Sequence, residues 1–323
     1  MSKMDCAPVL LTVFNRPSET RQALVRLKQV RPKKIFVAAD GPRDGRVDDI
    51  ALCDEVRRLV IEQIDWPTAL LTDFSPHNLG LRRRITSAIT WALKLEDRVI
   101  ILEDDCIPNA SFFEFCTELL DFYEADRRVG VITGDNFQPS GFECGATYYF
   151  SRYPHCWGWA TWRRAWDLYD DQMGDWPELR RTDWLEKLFP DPLEALYWKK
   201  IFDDTHAGKI QTWDYQWTYA NWRHGLLTAT PSKNLVTNIG TGPCATNTRD
   251  AEHNKHGQDS LPLDFPLLHP RSVTRDKDAD NYAQLHAFGR AKDRSLTGRL
   301  KRLCEKVKRK CLLKIDSFQG FWN

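Results

Sequence analysis

Residues 99–109 read VIILEDDCIPN, and this stretch decides the fold. An unbroken aliphatic run ends in three consecutive carboxylates, Glu103, Asp104 and Asp105. An apolar run with no polar alternation is the pattern of a strand covered on both faces, the environment of a parallel sheet. Ionised carboxylates are not left unpaired inside such a sheet. The strand, RVIIL at 98–102, therefore stops where the acids begin, and the acids stand at its carboxyl end.

Working outward from this strand, PVLLTVF (8–14), IFVAA (35–39), TALLTDF (68–74) and VGVITG (129–134) read as four more strands. Helical patterns separate them. RQALVRLKQV carries Ala23, Leu24, Leu27 and Val30 at helical spacing, with Ser18 or Thr20 placed to cap it, and further helices are expected near 48–64, 82–96 and 110–125. Strands alternating with helices predict a doubly wound α/β domain with a mostly parallel sheet over residues 7–137. Ligands of such sheets bind beyond the carboxyl ends of the strands. Polar residues collect at those ends: Asn15-Arg16, Asp40, His77-Asn78, the acidic triplet, and Asp135-Asn136.

The triplet also has a chemistry. Hard divalent cations such as Mg2+ or Mn2+ take oxygen ligands, often one or two carboxylates together with substrate phosphates. The bland alternative is a solvated acidic turn. The position after a buried strand, with polar residues at the ends of its neighbours, favours the site.

Composition narrows the remaining possibilities. The chain has 323 residues, 42% hydrophobic, with 46 basic and 45 acidic side chains, so no global field points to nucleic acid. The start, MSKMDCAPVLLTVFNRP, shows no charged-then-apolar signal segment, and no stretch approaches 18 apolar residues; a soluble, cytoplasmic chain is expected. Nine scattered cysteines without a CxxC pair disfavour a disulfide framework and a structural zinc site.

Four segments in order, VLLTVFNRP, AADGPR, HNLGLR and ILEDDCIPN, resemble those of GT-A-fold glycosyltransferases. The arrangement is similar to bacterial family 2 enzymes and to N-acetylglucosaminyltransferase I, whose acidic motif is also Glu-Asp-Asp. The resemblance covers about residues 8–248. It implies a nucleotide-sugar donor, usually UDP-linked, a divalent metal (Mn2+ or Mg2+), and inversion at the anomeric carbon. It places Asn15, Arg16, Asp40, Arg82, Glu103 and Asp104 on the donor and makes Asp105 the direct metal ligand. For Arg83 and Arg84 a solvated helix start is the better reading, and His77 reads as structural.

Residues 138–248 are less regular and would form the acceptor half of the same domain, after a nucleotide-binding half at 1–137. Of 13 Trp residues, ten fall between Trp157 and Trp222. Most belong in a core, and a minority in a cleft would suit the apolar faces of sugar rings. Inverting transfer needs a carboxylate base. Asp214 in TWDYQW, beside Trp213, and Asp135 in TGDNF are the two candidates, Asp214 first because its motif resembles the segment carrying the base in the same relatives. By that resemblance Gly158 and Trp159, in RYPHCWGWATW, lie at the sugar pocket, and Trp213 is counted with them. The acceptor would be a glycan or a lipid-linked saccharide.

Other classes fit less well. A sugar nucleotidyltransferase usually has a Gly-rich loop after the first strand, where this chain has FNRPSET, and no GxGxxG follows it as in dehydrogenases. A non-catalytic carbohydrate-binding protein on the same fold would have no need of the triplet and Asp214.

Residues 249–285 read as an irregular segment and 286–323 as a basic tail. Residues 290–314 carry eleven Lys/Arg against Asp293 and Glu305, with Leu296, Leu300, Leu303, Val307 and Cys311 on one helical face. Such a helix suits an anionic membrane surface, with residues 290–322 as a peripheral anchor at the inner face of the cell membrane.

Overall fold

The five apolar runs are strands in the computed structural model, which describes residues 5–240 and 259–288. The first half is regular. β1 (Val9–Val13), α1 (Pro17–Val30), β2 (Lys34–Ala39), α2 (Val47–Gln63), β3 (Ala69–Phe74), α3 (Leu81–Leu95) and β4 (Arg98–Glu103) alternate as expected. They pair in parallel in the order β3-β2-β1-β4. Successive residues face opposite sides of this sheet. Leu11, Val37 and Ile100 pack with Leu24, Val56 and Phe115, whereas Leu10, Phe36 and Ile101 pack with Ile85, Ala88 and Trp159. Trimming one such side chain to alanine costs roughly 2–5 kcal/mol.

α1 begins two residues earlier than a Ser18 cap would require and four earlier than a Thr20 cap. Its N-cap is Arg16, Pro17 occupies the first turn, and no side chain caps it. Pro fits there because the missing N–H is one the helix would leave unpaired. The Thr20 hydroxyl donates to the Arg16 carbonyl instead, at 2.8 Å.

After β4 the chain runs through β5 (Cys106–Pro108), α4 (Ala110–Phe122), β6 (Val129–Thr133), β7 (Tyr148–Ser151) and β8 (Trp159–Trp162). Helices α5 (Arg163–Trp166), α6 (Trp176–Leu179), α7 (Trp184–Leu188), α8 (Pro192–His206) and α9 (Asp214–Arg223) precede β9 (Leu227–Pro231) and β10 (Val236–Asn238). Among the described residues the main sheet has eight strands in the order β3-β2-β1-β4-β8-β6-β9-β7. The α/β class and the mostly parallel sheet are as expected.

The fifth run, β6, is separated from β4 by β8, which is antiparallel to both. It therefore joins the sheet only through strands of the second half. β10 pairs antiparallel with β5 just beyond the acidic turn, with Asn238 opposite Cys106.

The chain divides into two compact units, Met1–Asp276 and Lys277–Asn323. In the second unit α10 (Lys277–His286) is helical, where the sequence reads as irregular, and stacks Tyr282 on His286 one turn on. The amphipathic pattern at 290–314 lies outside the described residues. Among those that are described, no helix is long and apolar enough to cross a membrane.

Candidate active site

A cavity of about 250 Å³ opens at the carboxyl ends of β1 to β4. Thr12, Val13, Phe14 and Arg16 wall it from β1, Asp40 and Arg43 from β2, Asn78, Gly80, Leu81, Arg84 and Ile85 from the loop into α3, and Glu103 and Asp104 from β4. This is where the topology places ligands in a wound sheet. The size lies near the lower end of small-molecule pockets, ~300–1,000 Å³.

The acidic turn and Arg16 form its charged end. Arg16 Nη1 donates to Asp105 Oδ2 at 2.6 Å, and Nη2 lies 3.4 Å from Asp104 Oδ1. The Phe14 amide donates to Asp104 Oδ2 at 3.3 Å, so both oxygens of Asp104 face protein groups. Burial pushes the Glu103 carboxyl up to about 8, reinforced by Asp105 and Asp104 beside it. Burial likewise pushes Asp104 up to about 7, opposed by the Arg16 guanidinium. Burial works against the charge of Arg16, but Asp104 and Asp105 outweigh it and hold the guanidinium more firmly protonated than usual.

Asp105 faces the other way as well. The Ile239 amide donates to its carbonyl at 2.9 Å, and Cys106 Sγ lies 3.7 Å from Oδ1. Among the described residues no three His, Cys, Asp or Glu side chains converge as a ready-made metal cage. The donor set is nevertheless all oxygen, and a hard cation suits one carboxylate completed by a ligand's phosphates. Asp105 fits that pattern; Asp104, with both oxygens engaged, fits a supporting role.

Asp214 begins α9. Its Oδ1 accepts the Thr212 hydroxyl and the Tyr215 amide, the latter at 3.1 Å. Burial raises its carboxyl above the usual range, opposed by the bond from Thr212. Asp214 also repels Glu103, so α9 and the acidic turn share one electrostatic environment. The Cys156 thiol stands among them, pushed well up by burial and then by Asp214, Glu103, Asp135 and Asp105. A thiol so disfavoured as thiolate is not a nucleophile.

The residues expected on the acceptor side are buried. Asp135 is 1% exposed: Oδ2 accepts the Trp157 amide at 2.9 Å and Oδ1 has no partner. Burial raises its carboxyl far above the usual range, opposed by the bond from the Trp157 amide. Trp159 and Trp213, 1% and 3% exposed, stack on each other at 5.6 Å between ring centres and have no open face for a sugar. Gly158, at φ +77°, admits Val236, whose Cγ2 would lie 2.8 Å from an added Cβ. Trp157 is the half-buried tryptophan of this segment.

The donor-side residues divide. Asp40 accepts from the Gly41, Leu79 and Gly80 amides and from Asn78 Nδ2, so four donors fill its lone pairs and it shapes the loop wall. Asn15 is absent from the wall and donates to Asp49 at 2.7 Å. Arg43 takes the wall instead, bidentate to Asp49 and over the Phe14 ring at 5.5 Å. Arg82 turns away to Asp171, Nε to Oδ1 at 2.7 Å. Arg84, expected to be solvated, is buried in the wall and paired with Asp73. A second cleft of about 490 Å³ adjoins along Leu79–Leu81, lined by Arg82, Arg83, Asp171, Gln172 and Gln211.

No protein-family model and no curated protein matches the chain. Solved structures share a coarse likeness. One is a Drosophila beta-1,4-galactosyltransferase 7 mutant complexed with manganese, UDP-Gal and xylobiose. It is 10% identical, over 79% of this chain and 76% of that one, with a TM-score of 0.33. Another is the glycosyltransferase GlyE of Streptococcus pneumoniae TIGR4, 11% identical over 69% of this chain, with a TM-score of 0.32. This chain spans 45% of the length of GlyE. At such values the functional reading rests on the cleft itself.

Sequence reasoning missed Arg43, Arg84 and the second cleft. The signal for Arg84 was present: it stands three residues after Leu81 and four before Ala88, on the buried face of α3.

Proposed function

We propose that this chain is a metal-dependent glycosyltransferase that moves a sugar from a nucleotide-diphosphate donor to an acceptor hydroxyl with inversion. The observation that carries the reading is the Glu103-Asp104-Asp105 turn at the charged end of the cavity, with Asp214 near enough to raise the Glu103 carboxyl. The cavity between Phe14, Arg43 and Leu81 suits the nucleoside, and Arg16 is the cation suited to the diphosphate. UDP is the first nucleotide to test, and a hexose or N-acetylhexosamine the transferred sugar.

In the proposed reaction the acceptor oxygen attacks the anomeric carbon as the bond from that carbon to the diphosphate oxygen breaks. The bonding pair leaves with the diphosphate, and Asp214 takes the acceptor proton on Oδ2, the oxygen not engaged by Thr212 and Tyr215. Burial raises its carboxyl above the usual range, which makes it a better proton acceptor than an ordinary aspartate. Asp105 would hold a divalent cation, Mn2+ or Mg2+, which would supply Lewis-acid neutralisation of the leaving group. Arg16 orients the phosphates, and Glu103 and Asp104 support the turn. The acceptor is a glycan or lipid-linked saccharide; residues 290–322 would hold the chain at an anionic inner membrane surface near the latter.

A screen of UDP-, GDP- and dTDP-sugars for nucleotide release, with Mn2+ and with EDTA, tests the reading. Metal-dependent nucleotide binding with no transfer to any acceptor would instead favour a non-catalytic carbohydrate-binding protein.

A further inference from the structure

Arg16 is bound to the residue expected to take the metal. Its root is fixed: Pro17 follows it, and its carbonyl accepts both the amide and the hydroxyl of Thr20, at 3.0 and 2.8 Å. Only the side chain is at liberty to move, and it is 26% exposed. The guanidinium gives one arm to Asp105 Oδ2, at 2.6 Å, and directs the other towards Asp104 Oδ1, at 3.4 Å. The other two arginines of the cavity wall have partners outside the acidic turn, Arg43 with Asp49 and Arg84 with Asp73. The Gly240 backbone also crowds Asp105 Oδ2, since a Cβ added to Gly240 would lie 1.9 Å from it. A cation approaching Oδ2 therefore meets the guanidinium, and two positive charges cannot share that oxygen without strong repulsion.

We infer that Arg16 is a resident counter-ion of Asp105 that a divalent cation displaces, and that its guanidinium is thereby released to a nucleotide's diphosphate. This rests on the proposed reading of Asp105 as the metal ligand. Metal and nucleotide are then coupled through one side chain. The cation frees the arginine, the phosphates capture it, and each ligand tightens the other by the same factor.

The test uses the full chain and two probes, Mn2+ alone, followed by the paramagnetic signal of the free ion, and UDP. Arg16→Gln removes the competitor while keeping a polar side chain. It should bind Mn2+ alone about tenfold or more tightly than the unaltered chain, the size set by loss of a charge-assisted hydrogen bond. With Mn2+ saturating, the same variant should bind UDP about tenfold more weakly, because the freed arm is gone. Arg16→Lys keeps the charge without the fork and should tighten Mn2+ binding less; it serves if the glutamine variant does not fold.

Equal or weaker Mn2+ binding by the folded variants overturns the displacement. Asp105→Asn separates this from failure of the underlying reading. If Asp105→Asn abolishes Mn2+ binding but the Arg16 variants do not tighten it, the metal assignment stands and the competition falls. If Asp105→Asn leaves Mn2+ binding unchanged, both fall.

Discussion

The backbone of Gly240 lies against the carboxylate of Asp105 so closely that a Cβ on Gly240 would stand 1.9 Å from Oδ2. The approach follows from the pairing of β10 with β5 and from the Ile239 amide, which donates to the Asp105 carbonyl. No real Cβ makes such a contact, so either Asp105 or the segment after β10 must move when one is added. Gly240→Ala should leave the fold intact and weaken Mn2+-dependent UDP binding about tenfold, a loss comparable to one charged hydrogen bond. Calorimetric titration with UDP in Mn2+ checks it; unchanged affinity would mean that the position of Asp105 is immaterial.

Asp214→Asn keeps the shape of the side chain and cannot accept a proton. Transfer should fall about 10²–10⁴-fold while donor binding is retained. In the unaltered chain the rate should fall on acidification, because protonation removes the base. Burial raises the Asp214 carboxyl, so this limb should lie above the ~3.9 of an ordinary aspartate. Transfer by Asp214→Asn at the normal rate would remove Asp214 from the chemistry.

Arg82 and Arg84 can be told apart by nucleotide binding. Arg84 is in the cavity wall and Arg82 is paired with Asp171 outside it. Arg84→Gln should weaken UDP binding several-fold and also lower stability, since its loss leaves Asp73 without its cation. Arg82→Ala should leave UDP affinity within about twofold, as expected for a side chain outside the contact set. The reverse ranking would place the nucleotide in the second cleft.

The pair also shows why the site was only partly legible. Residues two apart on a helix point to nearly opposite sides, so a motif that names the loop HNLGLR does not say which arginine faces the ligand until the rotation of α3 is known. The parallel strands were legible because continuous apolar runs such as VIIL need no partner to be recognised. The insertion of β8 between β4 and β6 was not, since WATW finds its neighbours only through pairing across sixty residues and thirty residues. Asp40 and Asp135 were correctly seen at strand ends. Whether such an acid faces solvent or folds under its own loop depends on the donors waiting there, four for Asp40 and one amide for the Oδ2 of Asp135.

Asp135 leads to a stability prediction with a definite sign. Burial raises its folded-state carboxyl far above the unfolded value, so the native state keeps a proton that the unfolded chain releases above about pH 4. Its contribution is fully favourable below that pH and is lost progressively as pH rises towards the folded value. Asp135→Asn removes this term. Urea unfolding at several pH values should show the variant gaining on the unaltered chain as pH rises above about 4, by ~1.4 kcal/mol for each unit over which the mismatch persists. A pH-independent difference would show that Asp135 is ionised in the native state.

Metal-dependent chemistry at Asp105 is tested by release of UDP from a UDP-sugar by the unaltered chain and by Asp105→Ala, each with Mn2+ and with EDTA, alongside a check that the variant is folded. Release by the unaltered chain in Mn2+ alone, abolished by EDTA and by Asp105→Ala, is the expected result. Mn2+-dependent release by a folded Asp105→Ala protein, at the rate of the unaltered chain, would contradict the account.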